Sequence, residues 1–347
     1  MVDAVTARRA WNTAKTELFG GVVPSVSPVL FSIGAQPGAG KTRALEASLK
    51  TFYSGQTFVS IIGDDFRKFH PDYEKLCALP DPEVMPRETA ELSGWLVRQS
   101  LDYASENGYS CVVEGTLRNP ETTLGTTRQF AEAGASTHLI VLGVSPAESW
   151  SGCLERYINA LEEGQAARWT PLEANNAGLE GTPKTLRAAE ADLSVKRISI
   201  VDRAGVVHYD NERGVDGQWL KPAGAVGVLE NLRGNVANRA AVIERIGLLQ
   251  ERAVRLGVPS TVQDGIKHAD VLARGGGKQL HTKADVIAGI KNKAHKMGDK
   301  KARQPQSHSI ERKTDPNYMV KAYASLSSMT SLSSSLIPEW QVSGWLP

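Results

Sequence analysis

Short apolar runs alternate with segments of helical apolar spacing over the first 215 residues. The candidate buried strands are residues 29–33, 57–62, 109–113, 138–144 and 196–201, and residues 206–209 would pair with the last of them across a turn. Helical patterns cover residues 4–19, 43–52, 88–106, 146–161 and 225–256. Strands alternating with helices predict an α/β fold, in which a mainly parallel sheet is covered by helices on both faces.

The first strand leads into a glycine-rich loop, the sequence GAQPGAGKT, and then into a helix. This order of strand, loop, Lys-Thr and helix is typical of the phosphate-binding P-loop. Backbone N–H groups of such a loop and the positive end of the following helix bind phosphates. Lys41 would neutralise the β- and γ-phosphates, and the Thr42 hydroxyl would ligate Mg²⁺. The predicted ATP-binding residues of the loop are Gly38, Ala39, Gly40, Lys41 and Thr42.

The loop departs from the usual P-loop pattern at one position. Ala35 stands five residues before Gly40, where the pattern has glycine, and Gly34 lies beside it. A methyl group is tolerable there if the φ angle of Ala35 is negative. The alternative is a chance glycine-rich turn before an ordinary helix, and the flanking strand and helix in the required order argue against it.

Length and composition set the domain organisation. The chain has 347 residues, 41% hydrophobic content and a net charge of +2, which predicts a sizeable core and no polyelectrolyte partner such as nucleic acid for the whole molecule. Three cysteines without metal-ligand spacing, no membrane-spanning apolar run and no secretory segment favour a cytoplasmic protein. We predict an N-terminal helix and connector (1–28), a P-loop domain (29–225), and a helical to irregular, basic and serine-rich C-terminal extension (226–347).

Acidic residues follow the second predicted strand. Asp64 and Asp65 stand at its carboxyl end, where open α/β sheets bind their ligands. An aspartate there could accept a proton from an attacking hydroxyl or hold Mg²⁺, and the alternative role is a helix cap or a turn. Asp64 is the better candidate because it leaves the strand first.

The third strand delivers Glu114, Thr116 and Arg118 at alternate positions. If the segment stays extended, the three side chains project to one side, where they could bind a hydroxylated and phosphorylated substrate. Two arginines follow later: Arg156 in a predicted helix and Arg168 on a lid-like turn between Gly164 and a Trp-Thr-Pro sequence. Taken alone, these arginines are typical of a solvated helix face.

Five motifs in order change that interpretation: GAQPGAGKT, GDDFRKFHPDY, VVEGTLRNP, LERY and ARWTP. Their order and spacing over residues 27–215 resemble the zeta-toxin family. The resemblance implies a P-loop kinase that phosphorylates a sugar hydroxyl of UDP-N-acetylglucosamine with ATP and Mg²⁺, and that is blocked by an epsilon-type antitoxin protein.

The resemblance also implies a role for each candidate residue. Lys41 would be the phosphate-binding lysine and Thr42 the magnesium ligand, while Asp64, six residues before His70-Pro71, would be the general base in contact with the substrate. The substrate-binding set would be Glu114, Thr116 and Arg118 together with Asp64. Arg156 and Arg168 would stabilise the transferred phosphoryl group, and Arg168 would also contact ATP.

Two alternatives keep the P-loop but change the function. One is a kinase for another acceptor, such as a nicotinamide dinucleotide or a nucleic-acid end. The other is a nucleotide-binding regulator without catalysis, for which Ala35 would be the mark. Turnover of UDP-sugars compared with dinucleotides would separate the three.

The last third of the chain differs in composition. Residues 275–277 are glycines, residues 291–303 form a basic run, and residues 325–335 are almost all serine, leucine and threonine. The basic run predicts either an electrostatic contact or a solvated tail. Tryptophans at 340 and 345 favour docking of the final segment onto the core. Because every proposed site residue precedes Pro171, we expect truncation after residue 260 to lower the melting temperature and spare catalysis.

Overall fold

The computed structural model describes residues 2–79, 81, 84–165, 167–235 and 237–275. Within these ranges the strands are β1 (Val29–Gly34), β2 (Val59–Ile61), β3 (Cys111–Gly115), β4 (Ser136–Leu142), β5 (Arg197–Val201) and β6 (Val207–Glu212). The helices are α1 (Ala4–Phe19), α2 (Lys41–Phe52), α3 (Tyr73–Cys77), α4 (Val84–Glu106), α5 (Pro120–Glu132), α6 (Pro146–Glu162), α7 (Leu172–Ala191), α8 (Ala225–Gly234), α9 (Arg239–Leu256) and α10 (Ser260–Ala273). A 3-10 helix, Gly63–Phe69, begins two residues after β2.

The six strands form one sheet in the order β2-β3-β1-β4-β5-β6. The first five are parallel, and β6 runs antiparallel to β5, which confirms the predicted parallel sheet and the final strand pair. At the carboxyl end of β1, Gly34 pairs with Gly115 of β3 and with Val141 of β4. Successive connections diverge to the two sides of β1, and ligands of α/β sheets bind at such a point.

Helices cover both faces of the sheet. Successive side chains of a strand point to opposite faces, so a strand of consecutive apolar residues needs packing partners on both. In β1, Leu30 packs into a cluster with α1 and α4, whereas its neighbour Phe31 packs into a cluster with α2. The helix α1 begins where the Asp3 carboxylate accepts hydrogen bonds from the N–H groups of Val5 and Thr6. Its aromatic ring Phe19 then packs edge-on to Tyr103 of α4, with centroids 4.9 Å apart.

A separate apolar cluster joins α6 to α9 and α10. Its buried members include Trp150 and Leu154 of α6, Ile246 of α9 and Ile266 of α10. The helix α8 packs instead against the β4–β5 side of the sheet, through Leu229. Of the helices that follow β6, α9 and α10 therefore contact α6, which carries the predicted site residue Arg156.

Several boundaries differ from the sequence prediction. The helix predicted over residues 225–256 is two helices, α8 and α9, because Gly234 and Asn235 end the first of them. The helices α5, α7 and α10 were not predicted from the sequence, and α7 contains two glycines and Pro183. The strand β2 is three residues long rather than six and lies at the edge of the sheet, with β3 as its partner.

The predictions for residues 276–277, the basic run 291–303, the serine-rich segment 325–335 and the docking of the final residues lie outside the described residues. The division of the chain at residues 28 and 225 stays a prediction. Among the described helices, none combines the length and apolar character needed to cross a membrane.

A buried polar network links β4, β5 and β6 through His138. Its Nδ1 lies 3.1 Å from the Tyr53 hydroxyl, and its Nε2 lies 2.8 Å from Ser199 Oγ. Because Ser199 donates its hydrogen to Asp210 at 2.6 Å, Ser199 accepts from Nε2–H and Nδ1 accepts from Tyr53. Burial, followed by the nearby Arg197 guanidinium, lowers the pKa of His138 to about 3. The imidazole is therefore neutral in the folded protein at neutral pH.

We expect this histidine to reduce stability in mild acid. Its pKa in the folded chain is below the value of about 6.5 in an unfolded chain, so the unfolded state binds the extra proton as the pH falls from about 6.5 to about 3. In that window His138 costs up to about 1.4 kcal/mol of unfolding free energy per pH unit. Urea unfolding at pH 8, 6 and 5 should therefore show a shallower acid loss in His138→Gln than in the unsubstituted protein. The pH 8 values measure the packing cost of the substitution itself, and equal slopes would contradict the assignment.

Candidate active site

The loop between β1 and α2 needs glycine at two positions because of its backbone. Gly38 has φ 76° and Gly40 has φ 88°, in the left-handed region that L-residues rarely adopt. The loop also packs tightly on α6, since a methyl group at Gly38 would lie 2.0 Å from the Ser149 carbonyl oxygen. The residue Lys41 then begins α2, so the loop and the helix start have the arrangement that the sequence predicts.

Ala35 fits this loop without strain. Leu117 is the one non-glycine residue with positive φ in the described part of the chain, so Ala35 meets the condition set by its sequence position. Its N–H donates to the Gly115 carbonyl at 3.2 Å, and its own carbonyl accepts from Lys41 Nζ at 3.3 Å. The departure from the usual pattern therefore leaves the loop geometry intact.

The amino group of Lys41 links the loop to the end of β3. It lies 3.5 Å from Glu114 Oε1. Burial lowers the pKa of Lys41, and the Glu114 carboxylate opposes that effect. A mostly buried ammonium group paired with one carboxylate is well placed to bind an anion at the carboxyl ends of β1 and β3.

Asp64 lies in the first turn of the 3-10 helix and is held by two guanidinium groups. Arg67 Nε donates to its Oδ1 at 3.0 Å, and Arg168 donates to its Oδ2. Burial acts to raise the pKa of Asp64, but Arg168 and Arg67 together hold it below its usual value. Asp64 is therefore ionised at neutral pH.

Asp65, the neighbouring candidate, has a different environment. Burial, together with the Asp64 charge, raises its pKa. The structure brings Asp64 to Arg168. The general-base role itself stays a prediction.

The end of β3 does not remain extended as far as the sequence argument assumed. The strand ends at Gly115, and Leu117 has φ 53°, so the alternation of sides is broken before Arg118. Leu117 packs over Gly34, where a methyl group would lie 2.1 Å from its Cγ. Thr116 Oγ1 is buried and has no hydrogen-bond partner among the described residues. Burial lowers the pKa of Arg118.

Arg156 and Arg168 are linked through the connection between α6 and α7. Arg156 donates to Thr170 Oγ1 at 2.8 Å, and Thr170 is buried two residues after Arg168. The lid-like segment predicted around Arg168 therefore contacts α6 through Arg156 and the 3-10 helix through Asp64.

Several residues that hold this site were not predicted. Arg67 is 4% exposed and donates to the Pro86 carbonyl at 2.7 Å and to Thr89 at 2.8 Å, which fixes the guanidinium that contacts Asp64. Arg203 follows β5, and its side chain lies about 3.0 Å from where a methyl group at Gly40 would stand. The signal for Arg203 is its position at the carboxyl end of a predicted strand.

The helix α7 holds both loops of the site. Asn175 donates to the Pro37 carbonyl at 2.7 Å, and Thr185 donates to the Leu117 carbonyl at 2.7 Å. Between them, a methyl group at Gly181 would lie 2.3 Å from Arg118 Cα. No sequence pattern pointed to α7, because its contacts are made to segments more than 60 residues away.

A glycine-rich loop that ends in Lys41 at the start of α2, inside a parallel sheet of order β2-β3-β1-β4-β5, defines the class of P-loop kinases. The model of the Zeta toxin family matches residues 15–214, more than half of the chain. The chain belongs to this family, which confirms the resemblance found in its motifs.

Individual relatives agree with that assignment. The chain is 29% identical over 196 residues to Toxin zeta of Enterococcus hirae, covering 56% of this chain and 68% of the relative. It is 28% identical over 194 residues to Toxin PezT of Streptococcus pneumoniae serotype 4, covering 55% of this chain and 75% of the relative. A solved structure of the PezAT chromosomal toxin-antitoxin system of Streptococcus pneumoniae shares the fold at 23% identity and a TM-score of 0.60, covering 74% of this chain and 97% of that chain.

From the loop geometry we predict how substitutions change the free energy of unfolding, whatever the function of the protein. Ala35→Gly should lower the free energy of unfolding by about 1 kcal/mol, because it adds freedom to the unfolded chain and removes a buried methyl group. Gly38→Ala should cost about 2–5 kcal/mol, since it combines positive φ with a methyl clash. Urea unfolding followed by circular dichroism measures both effects.

Gly125→Ala in α5 is the matched control, because a methyl group there meets nothing within 4 Å. It should leave stability unchanged or raise it by up to about 1 kcal/mol. A stabilising Ala35→Gly, or a Gly38→Ala variant as stable as Gly125→Ala, would contradict the loop geometry described here.

Proposed function

We propose that this chain is an ATP-dependent kinase that phosphorylates a sugar hydroxyl of UDP-N-acetylglucosamine. The observation that carries the proposal is a pair of contacts across the site: Lys41 lies 3.5 Å from Glu114, and Arg168 contacts Asp64. Two cations suited to a triphosphate thus face two carboxylates suited to a hydroxylated acceptor. Membership of the Zeta toxin family supports the same assignment, and the motif resemblance supports the choice of sugar nucleotide.

The chemistry follows from this arrangement. Asp64 would accept the proton of the acceptor hydroxyl while the acceptor oxygen attacks the γ-phosphorus and the bond to the departing ADP oxygen breaks. Lys41, Arg156 and Arg168 would neutralise charge on the transferred phosphoryl group. Arg67, which is anchored on Pro86 and Thr89, would keep the Asp64 carboxylate in place.

The lowered pKa of Asp64 is compatible with this role. Arg168 and Arg67 outweigh burial and keep the carboxylate ionised at neutral pH, so the base is ready to accept a proton. A loose transition state needs little early deprotonation of the acceptor, and a weak base is sufficient. Glu114, Thr116 and Arg118 would bind the acceptor, and a hydrogen bond to the buried Thr116 hydroxyl would relieve an unpaired group that costs about 1–3 kcal/mol.

Thr42 is the proposed protein ligand for Mg²⁺. Its side chain is exposed in the first turn of α2, and the described residues contain no group of three or more histidines, cysteines and carboxylates placed to hold a metal ion. This fits Mg²⁺, which usually keeps several waters and binds through substrate phosphates with few protein ligands. The ion would supply charge neutralisation at the ATP phosphates.

An epsilon-type antitoxin is the proposed protein partner, and the cytoplasm the proposed location. Support comes from family membership and from the PezAT relative, which is a toxin-antitoxin system. The alternative hypothesis, a nucleotide-binding regulator without catalysis, rested on Ala35. It loses that support, because Ala35 leaves the loop geometry intact.

Turnover with a panel of acceptors tests the substrate. Purified protein with ATP and Mg²⁺ should phosphorylate UDP-N-acetylglucosamine in preference to UDP-glucose, a nicotinamide dinucleotide and a 5′-hydroxyl oligonucleotide, with the product identified by mass spectrometry. Lys41→Ala is the inactive control, since it removes the buried cation of the loop. Phosphorylation of the dinucleotide or the oligonucleotide alone would replace the sugar-nucleotide assignment, and no turnover with any acceptor would favour the regulator.

The two adjacent aspartates provide a matched test of the base. Asp64→Asn should lower kcat by about 10²–10⁴-fold, because the acceptor proton loses its carboxylate, while calorimetry shows nearly unchanged ATP affinity. Asp65→Asn, one residue away, should have a much smaller effect. If Asp65→Asn is the more damaging substitution, the assignment of the base to Asp64 is wrong.

A further inference from the structure

An aromatic cluster stands directly beside Arg168. Trp169 packs edge-on to Trp150, with ring centroids 5.9 Å apart, and edge-on to Tyr157, with centroids 5.4 Å apart. Both partner rings belong to α6 and are buried. The chain segment that carries Arg168 is therefore attached to α6 by its next residue.

The helix α10 also packs against this cluster. The Trp150 indole N–H donates to the Gly265 carbonyl at 2.8 Å. A methyl group at Gly265 would lie 3.1 Å from Leu154 Cδ2, 3.2 Å from Trp150 Cζ2 and 3.4 Å from Trp169 Cη2. The absence of a side chain at Gly265 thus leaves room for both tryptophan rings beside the backbone of α10.

The residues that flank Arg168 and Trp169 in the chain are also packed against the protein. Ala167 is 7% exposed, and Thr170 is held by Arg156 at 2.8 Å. Because Trp169 directly follows Arg168, the position of the Trp169 ring limits where the Arg168 backbone can lie, and with it the contact to Asp64.

We infer that α10 is a positioning element of the phosphoryl-transfer site: through Gly265 and Trp169 it holds Arg168 against Asp64. The inference rests on the proposed function for the catalytic meaning of Arg168. The helix α10 lies beyond residues 15–214, which the family model matches. It also opposes the expectation that removal of the chain after residue 260 spares catalysis.

Two glycines in helical interiors give a matched pair of variants. At Gly265 of α10 an added side chain meets both tryptophans, whereas at Gly247 of α9 it meets nothing within 4 Å. Gly265→Leu should therefore lower kcat by about tenfold or more, since small misplacements of a catalytic group have effects of this size, and Gly247→Leu should leave kcat unchanged. Gly265→Ala should show a smaller effect in the same direction.

A second measurement is independent of the substrate. Carbon-13 NMR titration of the Asp64 carboxyl group, assigned with Asp64→Asn, reports the distance of Arg168, because that guanidinium lowers the Asp64 pKa. The Asp64 pKa should rise in Gly265→Leu and in Arg168→Ala, and stay at the unsubstituted value in Gly247→Leu. This titration tests the positioning even if no acceptor is phosphorylated.

The combined variant separates positioning from general destabilisation. If α10 acts through Arg168, Gly265→Leu should change neither kcat nor the Asp64 pKa further in an Arg168→Ala background. Independent, additive losses of kcat would overturn the inference, as would an unchanged Asp64 pKa in Gly265→Leu. Should Gly265→Leu fail to fold, Trp169→Phe provides the same test, because the smaller ring loses the edge that faces Gly265. Equal kcat and an equal Asp64 pKa in Trp169→Phe and the unsubstituted protein would likewise overturn it.

Discussion

Close backbone contact between the glycine-rich loop and two later helices sets the geometry of the whole site. The loop touches α6 at Gly38, where even a methyl group would clash with the Ser149 carbonyl. It touches α7 through the hydrogen bond from Asn175 to the Pro37 carbonyl. Because no side chain intervenes at Gly38, the distance between loop and α6 cannot relax. The helix α6 and its connection to α7 carry Arg156 and Arg168, so this contact also bears on where both arginines lie relative to the loop.

The charges of the site depend on that geometry. Each carboxylate of the site is matched by a cation from a different element, Glu114 by Lys41 and Asp64 by Arg168, and Asp64 is also paired with Arg67 of its own 3-10 helix. Partly buried ions of this kind are costly when one partner is removed, since the other is left without compensation. In the proposed function, a bound polyanion would take the place of the carboxylates beside the two cations.

The helices α8 and α9, which follow the residues matched by the family model, also contact the glycine-rich loop and α6. Arg233 of α8 donates to the Gln36 side chain at 3.0 Å and to the Leu179 carbonyl at 2.8 Å. Burial lowers the pKa of Arg233 to about 10, which still leaves it charged at neutral pH. Arg245 of α9 donates to Ser151 of α6 at 2.6 Å. The helices α8 and α9 thus attach to the loop and to α6, in the same way that α10 attaches to Trp150.

The parallel α/β sheet, the P-loop and the candidates Lys41, Asp64 and Glu114 can be recognised in the order of the amino acids, because strand, loop and helix follow one another directly and their glycine and charge signals are local. The left-handed conformation of Leu117, the anchoring of Arg67 and the position of α10 beside Trp169 became visible only in the folded chain. The hydrogen bond from Trp150 to Gly265 spans 115 positions. Such contacts depend on which surfaces meet when the helices pack, and the periodicity of any one segment carries no information about its distant partner.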